Sequence, residues 1–419
     1  MKRENPLTQT YTSALESFAD NEARKKALEN FKTRGLPHTK MEDWLYTKLS
    51  DVLPEKLLKV STKPNIKDIK TPGKYKLYFS NGQILEDKSS LPEGVILNVS
   101  TLKSETANDD QSDIFAMMNG VLNDVTVTLT IKKDFVLDSP LSIVHYSDFT
   151  GEFSAPRVHV VAENFSKAEI VEIFIGEDQK SYNVTAVSNF ILKDGAKVLH
   201  AKVQDEGNEA FHVSSVNADV HRDANFHSFT FTTGAKKSRN EIKVRLRETG
   251  AYTSVDGLYA LNDKQHTDNN SLITHIKEHT DSSQLFKGVL DDSSRGVFTG
   301  KVLVCRDAQK VNSEQLNKNL LLTKKSHADT RPQLEVYADD VKCAHGATVG
   351  QMNEEEAFYL QSRGLSKERA QKLLIHAFCS EALLKIENDE VREFCSETLF
   401  KSFEEESFSH VDDRSTQKS

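Results

Sequence analysis

From about Thr71 to Gly350 apolar and polar positions alternate with a period of two. VTVTLTI, PRVHVVAE, FHSFTFTT and EIKVRLRE are the clearest stretches, and they predict strands with one packed face. The flanks follow another rhythm. SALESFADNEARKKALENFKTRG spaces Leu15, Phe18, Ala19, Leu28 and Phe31 helically and meets Gly35 and Pro37, predicting a helix that stops there. MEDWLYTKLSDVL predicts a second helical turn. Beyond Gly350, Asn353 with Glu356 reads as a capping box for EEEAFYLQSR, and Gly364 as its stop. Ser366 reads as the cap of KERAQKLLIHAFCSEALLKI, and Asp389 as the cap of EVREFCSETLFKSF. The final SHVDDRSTQKS reads as a frayed polar end. The expected division is a helical region over 1–70, a β region over 71–350 and a helical region over 351–419.

The β region carries a repeat. Short turns recur as NFSKAEI, LKDGAKVL, HRDANFHS, RETGAYTS and CRDAQKVN, with Ala168, Ala196, Ala224, Ala251 and Ala308 in them. The interval is about 28 residues, doubled before Ala308, which puts a missing turn near residues 278–284. A unit of two strands buries little alone; stacked units share a continuous core. With no helices between the strands, the period predicts a mainly β chain built as a parallel β-helix, or solenoid, flanked by helical regions. A β-sandwich would need hairpins, and Asn119-Gly120, Asp194-Gly195 and Asp256-Gly257 are few such signals.

Composition narrows the function. The 419 residues carry 54 Lys and Arg against 63 Asp and Glu, a net charge of −9, which argues against a nucleic-acid partner. A hydrophobic fraction of 37% suits a thin, extended architecture. The N-terminus shows no secretory pattern and no apolar run is long enough to span a bilayer, so no membrane role is expected. Cys305, Cys343, Cys379 and Cys395 have no framework spacing and read as free thiols, in keeping with a cytoplasmic location.

Few motifs carry chemistry. GVFTGKV fails as a phosphate loop, since only Val297, Phe298 and Thr299 separate Gly296 from Gly300 and Lys301 is followed by Val302. His275 and His279 have the spacing of a helical metal pair but lie in a β stretch, where a stacked or solvent-facing pair is expected. His200, His212, His221, His227 and His266 recur at similar phases and are candidates to line one seam. In VKCAHGATVG, Cys343 and His345 point to the same face if the segment is extended. Thiolate and imidazole are good ligands for iron, copper or zinc, but two ligands do not close a site. The alternative is a small core thiol beside an edge histidine.

Three segments sharpen this. SSRGVFTGKVLVCRDAQKVNSEQLNKNLLLT, ADTRPQLEVYADDVKCAHGATVGQMNEEEAFYLQSRGL and GLPHTKMEDWLYTKL closely resemble the SufB/SufD family of iron–sulfur cluster assembly proteins. The likeness spans residues 35 to about 400, and DDVKCAHGATVG is similar to the SufD branch. The resemblance implies a right-handed parallel β-helix and a non-catalytic scaffold in a cytosolic complex with SufB and two copies of the ATPase SufC. It implies a heterodimer with SufB through the C-terminal end of the β-helix, and docking of SufC on the C-terminal helices. It places a nascent cluster or iron at the shared junction, with His345 favoured over Cys343 as the metal-facing residue. A reduced flavin bound by the complex and a homodimer of the isolated chain are further implications. The readings from other classes are a stand-alone β-helix enzyme acting on carbohydrate and a self-associating structural solenoid.

Overall fold

The computed structural model describes residues 7–404 except 39, 50–52, 54–57, 59–65, 68 and 102–112. The SHVDDRSTQKS tail and residues 50–52 of the second predicted helical segment lie outside the described residues. Helices α1 (Leu7–Glu16) and α2 (Glu22–Arg34) come first. Strands β1 (Tyr75–Ser80), β2 (Gln83–Ile84) and β3 (Val95–Ser100) lead to helix α3 (Ile114–Leu122). Then come β4 (Thr126–Ile131), β5 (Leu141–Ser147), β6 (Phe153–Ser154) and β7 (Arg157–Ala162). From there each turn supplies two strands. They are β8 (Lys167–Gly176) and β9 (Asn183–Leu192), β10 (Lys197–Asp205) and β11 (Phe211–Val220), then β12 (Asn225–Thr232) and β13 (Lys237–Leu246). They continue as β14 (Tyr252–Leu261) and β15 (His266–His275), β16 (Asp281–Leu290) and β17 (Arg295–Val304), then β18 (Val311–Leu321) and β19 (His327–Val336). Strand β20 (Val341–Gln351) opens a turn that is not completed, because α4 (Glu354–Ser362), α5 (Lys367–Leu383) and α6 (Asp389–Glu404) follow.

The strands sort into two sheets. One runs β2-β1-β5-β8-β10-β12-β14-β16-β18-β20, the other β19-β17-β15-β13-β11-β9-β7-β4-β3, with β6 beside β9. Every pairing is parallel except β1 with β2 and β3 with β4, so the chain is a parallel β-solenoid. Alternation decides the layers. Inward residues such as Phe190, Phe226, Ile242 and Phe298 form the core between the sheets. The outer face of the β10 sheet is apolar and is covered by α5 and α6, through Ile375, Cys379, Ala382 and Cys395. The outer face of the other sheet is covered near β9 and β11 by α3, on which α1 and α2 pack.

The ladder shows what set the repeat. Lys167, Lys197, Asn225, Tyr252, Asp281 and Asn312 are register partners from turn to turn. The residues before them are Ser166, Ala196, Ala224, Ala251, Thr280 and Val311, all buried where the chain bends into the sheet. Three of the alanines are thus equivalent, whereas Ala168 pairs with Val198 inside the strand and Ala308 lies three residues before its corner. Thr280 fills the turn that the period left vacant. At the same corner Phe165, Gly195, Asp223, Gly250, His279 and Lys310 have positive φ. Each donates its N–H to a carbonyl of the next turn, from Phe165 to Asp194 (2.9 Å) through Lys310 to Asp340 (2.7 Å).

Local expectations meet several corrections. The N-terminal helix is two helices, because the Asn21 side chain accepts from Arg24 N and restarts the chain after Phe18. The MEDW segment makes a single 3-10 turn at Glu42–Trp44. Helix α3 interrupts the strand-rich region, capped by Asp113 and buried along its whole length. Asn119-Gly120 lies in that helix, Asp194-Gly195 at a corner and Asp256-Gly257 inside β14; the tight hairpin is at Asn81-Gly82, both with positive φ, between β1 and β2. Asn353 and Ser366 cap α4 and α5 as expected, but α6 is capped by Asn388, whose Oδ1 accepts from Val391 N, rather than by Asp389.

The MEDW turn straps the outer face of the second sheet. Trp44 lies under the Arg239 guanidinium (4.0 Å), and Thr47 Oγ1 donates to Asp268 Oδ2 (2.5 Å) and meets His266 Nε2 (3.0 Å). Glu42 reaches the last strand of that sheet, pairing with Arg331 and accepting from Gln333 Nε2 (2.9 Å). No helix among the described residues is long and apolar enough to cross a membrane.

Candidate functional site at the open end of the solenoid

Both sheets stop at the same end, with β20 as the last strand of one and β19 as the last of the other. Burial falls away there: β17 is largely buried, whereas β19 and β20 contain no buried residue. Among the described residues neither has a strand beyond it, so each presents a row of backbone groups, a template for pairing unless something covers it. Val336, Tyr337 and Val349 add exposed apolar surface at this end.

Cys343 and His345 lie on β20, paired in register with Ser313 and Gln315. On β18 the buried positions are Val311, Ser313, Gln315, Asn317 and Asn319, so this alternation defines the inward face. Register partners in parallel strands share a face. Cys343 and His345 therefore point along the interior of the coil, where no further turn among the described residues covers them.

Each continues a column of interior polar groups. In one, His275 Nε2 meets Ser282 Oγ (2.9 Å) and Ser282 meets Ser313 Oγ (2.8 Å), one rung from Cys343. In the other, Gln284 Nε2 donates to Ser271 Oγ (2.7 Å) and Gln315 Nε2 donates to Gln284 Oε1 (2.6 Å), one rung from His345. Gln315 Oε1 is buried without a partner. Burial raises the Cys343 thiol above its ordinary pKa, so the neutral thiol dominates near pH 7 until a cation draws the proton off.

As a metal site the pair is incomplete. Among the described residues no group of three or more His, Cys, Asp or Glu gathers at one point. Cys343 and His345 supply one soft and one intermediate donor from a single strand; any further ligands must come from elsewhere.

The other candidate histidines do not share a seam. His200 and His275 are buried and inward, whereas His279 sits in the left-handed corner away from His275. His227 pairs with Asp256 (3.2 Å), His266 is held under Thr47, and His221 pairs with Glu248 (3.2 Å) at the corner. His212 is inward and buried beside Glu206. The GVFTGKV segment lies on β17.

The C-terminal helices offer a second surface. Helix α4 buries no residue and exposes Phe358 (72%) and Tyr359 (57%). Asn353, Glu355, Tyr359, Leu360 and Leu374 line a shallow cleft between α4 and α5. Helix α5 is tied to the solenoid by Glu381, which accepts from Lys287 Nζ on β16 (2.5 Å) and Lys318 Nζ on β18 (2.9 Å). Lys287 also lies 4.0 Å above the Phe378 ring. The strand next to His345 is thus bolted to the helix beside the exposed one.

The chain matches two protein-family models. Residues 145–378 match the model described as SUF system FeS cluster assembly, SufBD core domain, and residues 7–141 match the SufBD protein N-terminal region. Among curated proteins it is 30% identical to an iron–sulfur cluster assembly SufBD family protein of Synechocystis, over 84% of each chain. It is 28% identical to the iron–sulfur cluster assembly protein SufD of Escherichia coli, over 84% of this chain and 86% of that one. It is also 28% identical to the chloroplastic protein ABCI7 of Arabidopsis thaliana, over 88% of this chain and 83% of that one.

Proposed function

The chain belongs to the SufBD family of SUF-system iron–sulfur cluster assembly proteins, and from that premise we propose that it is a scaffold subunit whose open solenoid end forms half of an assembly site. The observation that carries this reading is the position of His345 and Cys343: both face inward on the last strand, above an incomplete turn, with too few ligands for a metal. A second solenoid of the same family, SufB in this proposal, would dock its own terminal turn against β19 and β20 and bring the missing ligands. Iron or a nascent cluster is cargo at that junction, and His345 is the residue that meets it. The exposed face of α4 and the cleft beside it are the surface for an ATPase subunit, SufC. The Glu381 tie to β16 and β18 would carry its movements toward the terminal strand. The reading places the complex in the cytoplasm and assigns this chain no catalytic step.

Co-expression with SufB and SufC tests it. The purified complex of the His345→Ala variant is expected to keep its subunit ratio while losing most of its bound iron. Unchanged iron together with unchanged cluster assembly would remove the ligand role. A loss of iron only in proportion to lost SufB would reduce His345 to a packing residue. Light scattering with and without SufB distinguishes a homodimer of the isolated chain, which the free edges of β19 and β20 also favour, from the working heterodimer.

A further inference from the structure

Several turns away from the open end the interior holds ionisable groups that a scaffold does not need. Glu172, Lys202, Glu206, His145, His200 and His212 are all buried between β5, β8, β10 and β11. They fall into two parts that are treated differently. Glu172 is fully served: His200 Nε2 lies 2.9 Å from one carboxylate oxygen, while His145 Nε2 (3.3 Å) and Ser188 Oγ (2.8 Å) meet the other. Burial alone would raise its pKa, but the two imidazoles hold it below the ordinary carboxylate range. Lys202 is served as well, donating to Ser214 Oγ (2.7 Å) and Asn240 Oδ1 (2.5 Å).

Glu206 and His212 are not served in this way. His212 Nδ1 lies 2.8 Å from Glu206 Oε2, yet the approach is off the hydrogen-bonding direction. Both carboxylate oxygens, both ring nitrogens, both amide atoms of Gln204 and Thr232 Oγ1 lack a hydrogen-bond partner. All four side chains are almost wholly buried. Gln204 and Thr232 are register partners on β10 and β12, and Gln204 and Glu206 are two residues apart, on the run that carries inward-facing Lys202. A buried carboxylate with no aligned hydrogen bond is costly, and the neighbouring Glu172 shows that this interior can satisfy one.

We propose that Glu206 and His212, completed by the side-chain oxygens of Gln204 and Thr232, form an internal site for a divalent first-row metal ion of the manganese, ferrous iron or zinc kind. Two ligands side by side on an ion with bonds of about 2.1 Å stand about 3 Å apart and do not hydrogen-bond to each other, which is the relation between His212 and Glu206. An uncharged imidazole offers a metal ion a lone pair rather than a counter-charge, and both His212 nitrogens lack an aligned hydrogen bond. The donor set is nitrogen and oxygen without thiolate, which separates it chemically from Cys343 and His345. It does not rest on the assembly reading above.

The test uses the full chain, stripped with chelator and titrated with Mn²⁺ while electron paramagnetic resonance follows the free ion. One Mn²⁺ per chain is expected, displaced by lower concentrations of Zn²⁺ because zinc binds the same ligands more tightly. Glu206→Gln and His212→Ala should each weaken binding at least tenfold with circular dichroism unchanged. No stoichiometric Mn²⁺ in the unaltered chain, or undiminished binding in the double variant, overturns the site. If the variants fail to fold, anomalous diffraction from Mn²⁺-soaked crystals of the unaltered protein decides. A peak between Glu206 and His212 supports the site, and ordered water alone there overturns it.

Discussion

Gln315 sits one rung from His345 on the inward face of the coil, its amide nitrogen engaged by Gln284 and its carbonyl oxygen free. With rungs about 4.8 Å apart, that oxygen stands on the adjacent rung as an acceptor for an imidazole N–H. A partner of this kind sets which ring nitrogen carries the proton and which is open to a metal. Gln315→Leu is therefore expected to lower iron in the assembled complex severalfold while subunit stoichiometry stays constant. Iron per complex, set against size-exclusion profiles, checks this.

The four cysteines should differ in reactivity. Burial pushes Cys379 and Cys395 up to about 12 on the sheet-facing sides of α5 and α6 and raises Cys343 less far at the open end. Since the thiolate is the nucleophile, native protein treated with iodoacetamide at pH 8 should leave Cys379 and Cys395 unmodified and label Cys343 more slowly than a free peptide thiol. Mass spectrometry of timed digests reads the order. Fast labelling of Cys395 would show that α6 leaves the sheet.

Glu381 holds α5 to two strands at once. Its carboxyl lies below the usual range because Lys287 and Lys318 donate to it. The Lys287 side chain is 3% exposed and that of Glu381 47%, so a buried ammonium depends on a half-exposed carboxylate. Glu381→Ala should cost about 1–2 kcal/mol, a value reduced for solvent screening. The loss should appear as faster hydrogen exchange in α5 with the solenoid core unaffected. Lys287→Met, which removes the buried charge as well, should cost less.

Acid should weaken the fold before ordinary carboxylates titrate. His275 is buried with both ring nitrogens on hydroxyls, Thr280 Oγ1 and Ser282 Oγ, and burial lowers it to about 4. A histidine with a depressed folded pKa binds more protons when unfolded, so its contribution is complete above about pH 6.5 and is lost as pH falls toward 4, by up to about 3 kcal/mol per group. The urea midpoint should drop between pH 7 and pH 5, and His275→Gln should flatten that drop. A midpoint independent of pH in this range would count against a neutral buried imidazole.

Two strand glycines should respond differently to an added methyl. A Cβ on Gly257 would come within 2.3 Å of the Phe286 ring on the next turn, whereas one on Gly346 meets only the end of the Leu316 side chain at 3.1 Å. Gly257→Ala is expected to destabilise by about 1–3 kcal/mol through overpacking, and Gly346→Ala to be near neutral. Thermal melts of the two variants compare them directly.

The architecture was legible because a solenoid writes the same demand on every turn. A small buried residue at each corner left Ala196, Ala224 and Ala251 at a visible period, and alternation gave the strands. Features made by single contacts were not legible. Leu15, Phe18 and Phe31 keep helical spacing across the break that Asn21 imposes, so two helices read as one. Helix α3 is apolar throughout and has no amphipathic signature to separate it from buried strands. At the site, the spacing of Cys343 and His345 put them on one face. That this face is the interior depends on the register of β18, and that nothing lies above it depends on where the coil stops. His212 was legible only as one of several histidines at similar phase and Glu206 gave no signal, since their meeting joins the residue after β10 to a strand of the opposite sheet.

The two ends of the coil differ in direction as well as in exposure. At the start, β2 and β3 run antiparallel to their neighbours, and such a reversed strand breaks the parallel ladder that another turn would continue. At the finish, β19 and β20 leave the parallel ladder unterminated. A molecule with one live end and one dead end can join another only end to end, and the joint consumes the live end of both. Pairing that continues the parallel ladder therefore joins two bodies, whichever relative supplies the second, and does not offer a next parallel end from which a fibre would grow.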